Sequence, residues 1–258
     1  MSGDRNPTNK LLEELVEKSG VKKLVLEDPE KIVCDDEWTE ERERLAQELL
    51  QQDTSTIPDY WQTKYEREAA KSWDKFYKRN TTNFYKDRHY LHLVFPELDV
   101  NKEDPSTKVL LEVGCGVGNA ALPLLENGGV DFALFLFCLS AIHPDKMQAA
   151  VNKVVAAIKP GGKLFFRDYG RYDQAQLRFK PGHKLQENFY VRQDNTRAYY
   201  FTTEELEKLM RTAGLVPVEN EYIRRQYVNR QQSIVRFRVW VHGVFQKPLE
   251  TAAAVETA

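Results

Sequence analysis

A glycine-rich turn that follows a short apolar segment is the part of this sequence best suited to hold a ligand. Residues 109–111 are apolar, and Glu112, Gly114, Gly116 and Gly118 follow them at alternating positions. Glycines at this spacing let a strand turn sharply into a helix, and they let the backbone approach a ligand that a Cβ would exclude. A helix that begins there offers unpaired N–H groups. The turn therefore predicts a binding loop, with a tight turn that holds no ligand as the alternative.

The spacing of the glycines distinguishes a phosphate-binding loop from a loop that binds an amino acid and a ribose. The phosphate-binding pattern with glycines at positions one, three and six is not met, because Ala121 stands where a third glycine is needed. The sequence is closer to the loop of S-adenosylmethionine (SAM) methyltransferases, which holds an amino acid and a ribose.

Two further polar clusters follow predicted strands. Residues 131–139 are apolar without alternation, as in a central strand covered on both faces, and lead into His143 and Pro144. The next predicted strand, 163–167, ends in Asp168. Ligands of doubly wound sheets bind beyond the carboxyl ends of the strands, so these clusters and the glycine loop are expected to form one site. Asp168 and His143 are the candidate catalytic residues. The alternatives are a carboxylate that caps a strand end or pairs with Arg167, and a structural histidine at a helix start.

The remaining pattern defines the fold class. Helices are predicted at about 38–52, from Pro58 through Tyr77, at 144–158, and from the capping box of Thr202 and Glu205 to Gly214; an antiparallel pair is predicted at 216–228 and 233–245. Residues 159–162, Lys-Pro-Gly-Gly, predict a stop and turn. Strands alternating with helices and ending in an antiparallel pair indicate an α/β protein with a Rossmann-like doubly wound sheet.

An aromatic stripe marks the helix that begins at Pro58. Trp61, Tyr65, Trp73 and Tyr77 recur at helical spacing, and basic side chains occupy the other faces. Aromatic residues interleaved with bases can stack nucleobases and hold phosphates. The alternative, which is the better interpretation of the stripe as a whole, is that the rings pack on the domain and the charges are solvated.

Composition excludes several classes of protein. The chain has 258 residues, is 41% hydrophobic and carries a net charge of −2, so any nucleic-acid surface must be a local basic patch. Its three cysteines have no paired spacing, which favours a reduced intracellular setting. No signal peptide or membrane-spanning run is visible. We therefore expect a cytoplasmic or nuclear protein with no metal and no membrane partner.

Six ordered motifs together resemble the eukaryotic tRNA N3-methylcytidine methyltransferases. They occupy residues 73–78, 84–89, 112–119, 139–146, 166–170 and 187–192. The resemblance covers about residues 60–248, and residues 171–179 are most similar to the branch that acts on threonine and arginine tRNAs. It implies a class I SAM-dependent methyltransferase fold with an N-terminal helical cap. The expected parts are an extension that is helical and partly disordered (1–52), a cap with a tRNA-facing segment (53–100), a methyltransferase domain (101–248) and a disordered tail (249–258).

The resemblance also implies roles for individual residues. Those expected at the SAM cofactor are Trp73 and Tyr77 of the cap, Gly114 and Gly116 of the glycine loop, and the apolar Leu136. Arg88 and His89 lie in the stretch that faces the tRNA in the family, and Lys78, Arg79 and Lys86 are candidate RNA-binding residues from the interleaving of aromatic and basic side chains. Arg192 and Arg197 flank a predicted turn and could contact phosphates, or they could be solvated hairpin charges.

One departure from the family is large. About fifty residues, with two strands of the doubly wound half, are missing after residue 127, where Asn127-Gly128-Gly129 joins the glycine-loop helix to the next strand. The acidic residue expected to hold the ribose hydroxyls has no counterpart, and Asp131 is a poor substitute. We expect a shortened sheet with uncovered apolar surface and weakened SAM binding.

The resemblance implies SAM-dependent formation of N3-methylcytidine at position 32 of the anticodon loop of threonine or arginine tRNAs. A helper protein that selects the tRNA is a further expected partner. The missing segment leaves open an alternative, a non-catalytic tRNA-binding or partner-binding variant. A methyltransferase for a small molecule or protein is a weaker option, because the cap is basic.

Overall fold

The computed structural model describes residues 14–15, 33–80, 91–98, 108–114, 129–229 and 234–249. Its main sheet has six strands, β1 (Val33–Asp35), β2 (Leu110–Val113), β3 (Val130–Leu136), β4 (Ile158–Tyr169), β8 (Val216–Asn229) and β9 (Ile234–Gln246), in the order β1-β8-β9-β4-β3-β2. A second sheet has three strands, β5 (Lys184–Gln186), β6 (Phe189–Val191) and β7 (Arg197–Tyr199), in sequence order.

The direction of the strands confirms the predicted fold class. β2, β3 and β4 are parallel, and β9 is antiparallel to both β4 and β8. A crossover that contains the helix 144–157 joins β3 to the parallel β4, as the sequence pattern predicts. The short β1 pairs with β8 and adds an N-terminal strand that the sequence did not reveal.

Seven α-helices are described. They are α1 (Glu40–Gln52), α2 (Asp59–Arg67), α3 (Ala69–Asn80), α4 (Leu91–Val94), α5 (Pro144–Ala157), α6 (Gln174–Leu177) and α7 (Thr203–Thr212). The side chain of Thr39 caps α1, and the reciprocal hydrogen bonds of Thr202 and Glu205 begin α7 as a capping box. Gly214 adopts a left-handed conformation just after α7, which confirms the predicted helix end.

Two predicted boundaries are wrong. The single helix expected from Pro58 is two helices, because the backbone turns at Glu68 between α2 and α3. The stop expected at residues 159–162 lies inside β4, where these residues form a bulge between the pairs Val130–Ile158 and Phe132–Lys163. Gly161 has a φ of +79°, which glycine adopts without the strain of a Cβ, so the chain kinks without leaving the sheet.

Both faces of the main sheet are covered by apolar clusters. On one face, Phe135, Phe166 and Val241 pack against α5 and α7. On the other, Phe95, just after α4, packs against Leu134 and Phe165. This two-sided burial explains why β3 is apolar without alternation.

A buried ion pair ties the N-terminal elements to the sheet. Arg42 of α1 and Asp36 are both buried, with 2.8 Å between Nη1 and Oδ1, and Gln226 of β8 donates to the same carboxylate. The Arg42 guanidinium also lies over the Trp38 and Phe237 rings. Because a buried charge is costly unless paired, this network fixes the position of α1 on the sheet.

Candidate active site and nucleic-acid interface

The predicted site begins at the carboxyl ends of β2 and β3. Gly114 follows β2 directly and is exposed, and within the described residues a Cβ built on it would meet only Cys138 Cβ, at 3.8 Å. Phe137, just after β3, has a φ of 55°, which is unusual for an aromatic residue. Its N–H donates to the Arg167 carbonyl at 2.8 Å, and its ring lies 5.2 Å from that of Tyr169. At this edge the main chain of Gly114 is accessible, and the contacts of Phe137 hold its backbone in an unusual conformation.

Asp168 lies at this edge but is fully buried. Its Oδ2 accepts a hydrogen bond from the Ser140 N–H at 2.9 Å, and its Oδ1 accepts one from the Tyr169 N–H at 2.8 Å. Burial raises the pKa of the carboxyl to about 6, although the two amides, the Ser140 hydroxyl and the charge of Arg192 oppose the rise. In this arrangement Asp168 fastens the end of β4 to the turn after β3, as in the strand-capping alternative.

His143 has a structural contact of its own. Its Nδ1 accepts a hydrogen bond from the Asp145 N–H at 3.3 Å and so caps the N-terminus of α5. The edge of its ring packs on Phe189 of β6, with 5.6 Å between ring centroids. These contacts agree with the structural alternative for His143.

The cap, defined as α2 and α3, is held over this edge by Glu66. Its carboxylate pairs with Lys146 at the start of α5 and with Arg197 of β7. These pairings lower the pKa of Glu66 against the opposing effect of burial. Arg197 also donates to the Ala141 carbonyl at 3.2 Å and lies over the Phe189 ring. Because Arg197 is buried and engaged by these groups, we do not count it among the residues presented to RNA.

The small sheet supports the start of the cap. Thr56 forms a bridge with Lys184, and the Ile57 N–H donates to the Lys184 carbonyl at 2.8 Å. Ile57 then packs with Leu185 and Phe189 in a separate apolar cluster. The cap is thus attached to the β5–β7 sheet, and this sheet rests on the turn after β3.

The aromatic stripe of the cap is partly packed on the domain, because the half-buried Tyr65 lies against the apolar cluster of Ile57. Trp61 is 43% exposed and Tyr77 47% exposed, whereas Phe76 is buried and Trp73 half-buried. The Trp73 ring contacts the rings of both Phe76 and Tyr77. Packing on the domain therefore accounts for Tyr65 and for Phe76, which lies beside the stripe, and it does not account for the exposed Trp61 and Tyr77.

Leu136 ends β3 and is buried in the apolar cluster of Phe95, Leu134 and Phe165.

Gly116, Lys86, Arg88 and His89 lie outside the described residues, as do the junction at 127–128 and the tail beyond residue 249. Their predicted roles stay predictions.

A basic cavity of about 690 Å³ opens between the end of the cap and the β6–β7 hairpin. Its lining residues with cationic or imidazole side chains are Arg79, Arg178, Lys180, His183 and Arg192, and Asp194 also lines it. Phe179 on its wall stacks on Tyr190, with 4.7 Å between centroids and an interplanar angle of 5°. Lys78, adjacent to Arg79, is exposed. The cavity brings the predicted residues Arg79 and Arg192 together, and adds three cationic or imidazole side chains that sequence reasoning missed.

Asp131 lies at the wrong end of the sheet to hold a ribose. Its Oδ2 accepts from the Val109 N–H at 2.8 Å and from Lys159 Nζ at 3.0 Å, at the start of β3. Those partners lower its pKa despite partial burial. The ligand-binding edge is one strand length away, so Asp131 does not replace the missing ribose-binding acid.

Neither a membrane span nor a metal site is found in the described residues. None of the helices there is long and apolar enough to cross a bilayer. No group of three or more His, Cys, Asp or Glu side chains within those ranges is placed to hold a metal ion.

Comparison with known proteins finds similarity to methyltransferases. A family model described as "Methyltransferase domain" matches residues 126–220. Among solved structures, a 1,6-didemethyltoxoflavin-N1-methyltransferase of Burkholderia thailandensis with bound S-adenosylhomocysteine is 16% identical, with a TM-score of 0.46, and the match covers 71% of this chain and 90% of that chain. The parallel strands β2, β3 and β4, with Gly114 at the carboxyl end of β2 and the final antiparallel strand β9, form a class I SAM-dependent methyltransferase fold.

Curated relatives define the family. The tRNA N(3)-cytidine methyltransferase METTL6 of Homo sapiens is 38% identical over 258 residues, covering 81% of this chain and 91% of that protein. The tRNA N(3)-methylcytidine methyltransferase Mettl2 of Drosophila melanogaster is 35% identical, covering 83% and 82%. The chain belongs to the tRNA N(3)-cytidine methyltransferase family.

The alignment with human METTL6 has room for the missing segment that the sequence predicts. The alignment is 258 positions long. It includes 81% of this chain, which is about 209 of its 258 residues. About 49 positions therefore have no residue here, close to the number expected from the sequence. Consistently, β2 pairs only with β3 among the described strands, and Leu110 on it is 49% exposed.

Proposed function

We propose that this protein transfers a methyl group from SAM to N3 of a cytidine in a tRNA. The observation that carries the proposal is the similarity to tRNA N(3)-cytidine methyltransferases over about four fifths of the chain. Position 32 of the anticodon loop and the threonine or arginine tRNAs are the specific targets that we propose from the sequence motifs. Nothing in the comparisons favours the non-catalytic alternative.

The open backbone at Gly114 is suited to the amino-acid end of SAM. Among the residues that the structure describes, only Cys138 Cβ lies within 4 Å of the position that a Cβ would take there, which suits close approach of a ligand to the main chain. The cap supplies Trp73 and Tyr77 as rings that can cover the cofactor from above. When bound, SAM would supply the electrophilic methyl group.

The reaction needs orientation more than a strong base. N3 of cytosine has a lone pair in the plane of the ring, so the protein must extrude the base and present N3 to the methyl group. The turn at 139–143 borders this space, and Asp168 holds it through Ser140. We propose that Asp168 acts as a positioning residue whose negative charge also favours the cationic product.

The basic cavity is suited to the tRNA backbone. Arg79, Arg178 and Lys180 can neutralise phosphates, and Phe179 offers a ring on which an unstacked base can lie. The cavity joins the cap to the hairpin that rests on the site, so phosphates held there would place the anticodon loop beside the carboxyl edge.

Methylation of tRNA transcripts tests the proposal. Purified protein, labelled SAM and transcripts of threonine and arginine tRNAs should give label in cytidine, and replacing C32 should abolish it. The human relative assayed in parallel is the positive control. If the relative methylates and this chain does not, SAM titration decides: tRNA binding without SAM binding would establish the non-catalytic alternative.

A further inference from the structure

The outer edge of β2, together with the two residues that precede the strand, carries a short, self-complementary sequence. Residues 108–112 read Lys-Val-Leu-Leu-Glu. Lys108, Leu110 and Glu112 are exposed, whereas Leu111 is buried. Because side chains alternate along a strand, the three exposed residues share one face of the sheet. A cation, an apolar residue and an anion thus lie in a row along this edge.

The backbone of this strand also has a free side among the described residues. The Val109 carbonyl accepts from the N–H groups of Asp131 and Phe132, and its N–H donates to the Asp131 carboxylate, so the Val109 main chain faces β3. Main-chain groups alternate between the two sides of a strand. Those of Lys108, Leu110 and Glu112 therefore point away from β3, and no strand in the described ranges pairs with them.

We propose that this edge pairs with the same edge of a second copy of the chain, in antiparallel orientation about a two-fold axis at Leu110. In that register Leu110 faces Leu110 of the second copy, and Lys108 faces Glu112 in both directions. Opposite charges and apolar residues directly across a strand pair stabilise it. The outward N–H and C=O groups of all three residues would then exchange hydrogen bonds, and two exposed leucines would cover each other. In a two-fold interface the same surface patch of both subunits meets, so the patch must be complementary to itself, as residues 108–112 are. The inference does not depend on methyltransferase activity.

Charge reversal tests the register. Sedimentation equilibrium of the complete chain should show a mass that approaches twice the monomer mass as concentration rises. Lys108→Glu and Glu112→Lys should each weaken dimerisation by about tenfold or more, because each places like charges opposite one another. An equimolar mixture of the two variants should restore it, since their heterodimer pairs Glu with Lys at both positions. A monomeric wild type, or variants that dimerise as well as the wild type, would overturn the proposal.

A cysteine scan gives a second, independent measurement. Leu110→Cys should form an intermolecular disulfide under mild oxidation, because directly opposed residues of a hydrogen-bonded pair have Cα atoms about 5.5 Å apart. Val109→Cys is the matched control, since Val109 is also exposed but faces Leu111 of the second copy. The wild-type chain shows the background from its own cysteines. Equal cross-linking of both variants would exclude this register.

Discussion

Replacing Asp168 with asparagine is expected to remove a pH dependence of stability. Burial raises the pKa of Asp168 to about 6, from a usual value of 3.8 that the unfolded chain keeps. The folded protein therefore binds this proton more tightly than the unfolded chain does. The contribution of Asp168 to the unfolding free energy is thus fully present below about pH 4 and is lost as the pH rises through about 6.

The size of the effect follows from these two pKa values. Between about pH 7.5 and pH 5 the folded carboxyl takes up nearly one proton, whereas the unfolded carboxyl takes up almost none. Integrating the difference between the two titration curves adds about 1 kcal/mol to the unfolding free energy at pH 5, out of about 3 kcal/mol for the whole window. Asparagine cannot titrate, so the Asp168→Asn variant lacks this gain.

Urea denaturation of both proteins from pH 5 to 7.5 measures the prediction. The asparagine amide places a donor near the N–H groups of Ser140 or Tyr169, so the variant is expected to be less stable throughout by about 1–3 kcal/mol. That constant loss does not affect the slope. Asp131→Asn is the matched control, because the lowered pKa of Asp131 puts its titration below this range. If the wild type and Asp168→Asn follow parallel pH profiles, the burial argument for Asp168 is refuted.

Three further changes test the cap, the cavity and a helix start. Glu66→Gln should cost about 1–3 kcal/mol in urea denaturation, because it leaves the buried Arg197 without its carboxylate; an unchanged midpoint would show that the pairing is dispensable. Arg178→Glu should weaken tRNA binding and reduce the slope of log affinity against log salt by about 1, measured by fluorescence anisotropy; an unaltered slope would place the phosphates elsewhere. Thr202→Ala should lower the unfolding free energy by about 1 kcal/mol through loss of the capping box, and an unchanged value would contradict a stabilising role for these hydrogen bonds.

Local signals predicted the parts of the fold that local physics determines. The capping box at Thr202, the glycine after α7 and the antiparallel pair β8–β9 all follow from short-range patterns, and each is present. The apolar run of β3 correctly indicated a strand covered on both faces. In these segments propensity, patterning and tertiary environment agree.

The features that sequence reasoning missed depend on distant contacts. Glu66 meets Arg197 across 131 positions of the chain, and neither residue has a local pattern that predicts a partner. The helix breaks at Glu68, but the aromatic residues keep their helical spacing across the break. Periodicity alone therefore predicts one helix where there are two. The cavity likewise joins the cap to residues 178–194, and the basic residues there became recognisable only when the fold placed them beside Arg79.

The position of the missing segment explains why the rest of the fold can stand without it, and why cofactor binding should suffer. The segment would extend the sheet beyond β2, so its loss leaves the pairing of β2, β3, β4 and β9 intact. The end of the next strand, however, is where doubly wound folds place the acid that holds the ribose hydroxyls. A charge-assisted hydrogen bond contributes about 1.5–3 kcal/mol, so we expect this chain to bind SAM about tenfold to a hundredfold more weakly than the human relative. Calorimetric titration of both proteins with SAM under one set of conditions measures the ratio. Equal affinity would mean that another group supplies the missing contact, and the argument from Asp131 and the shortened sheet would be wrong.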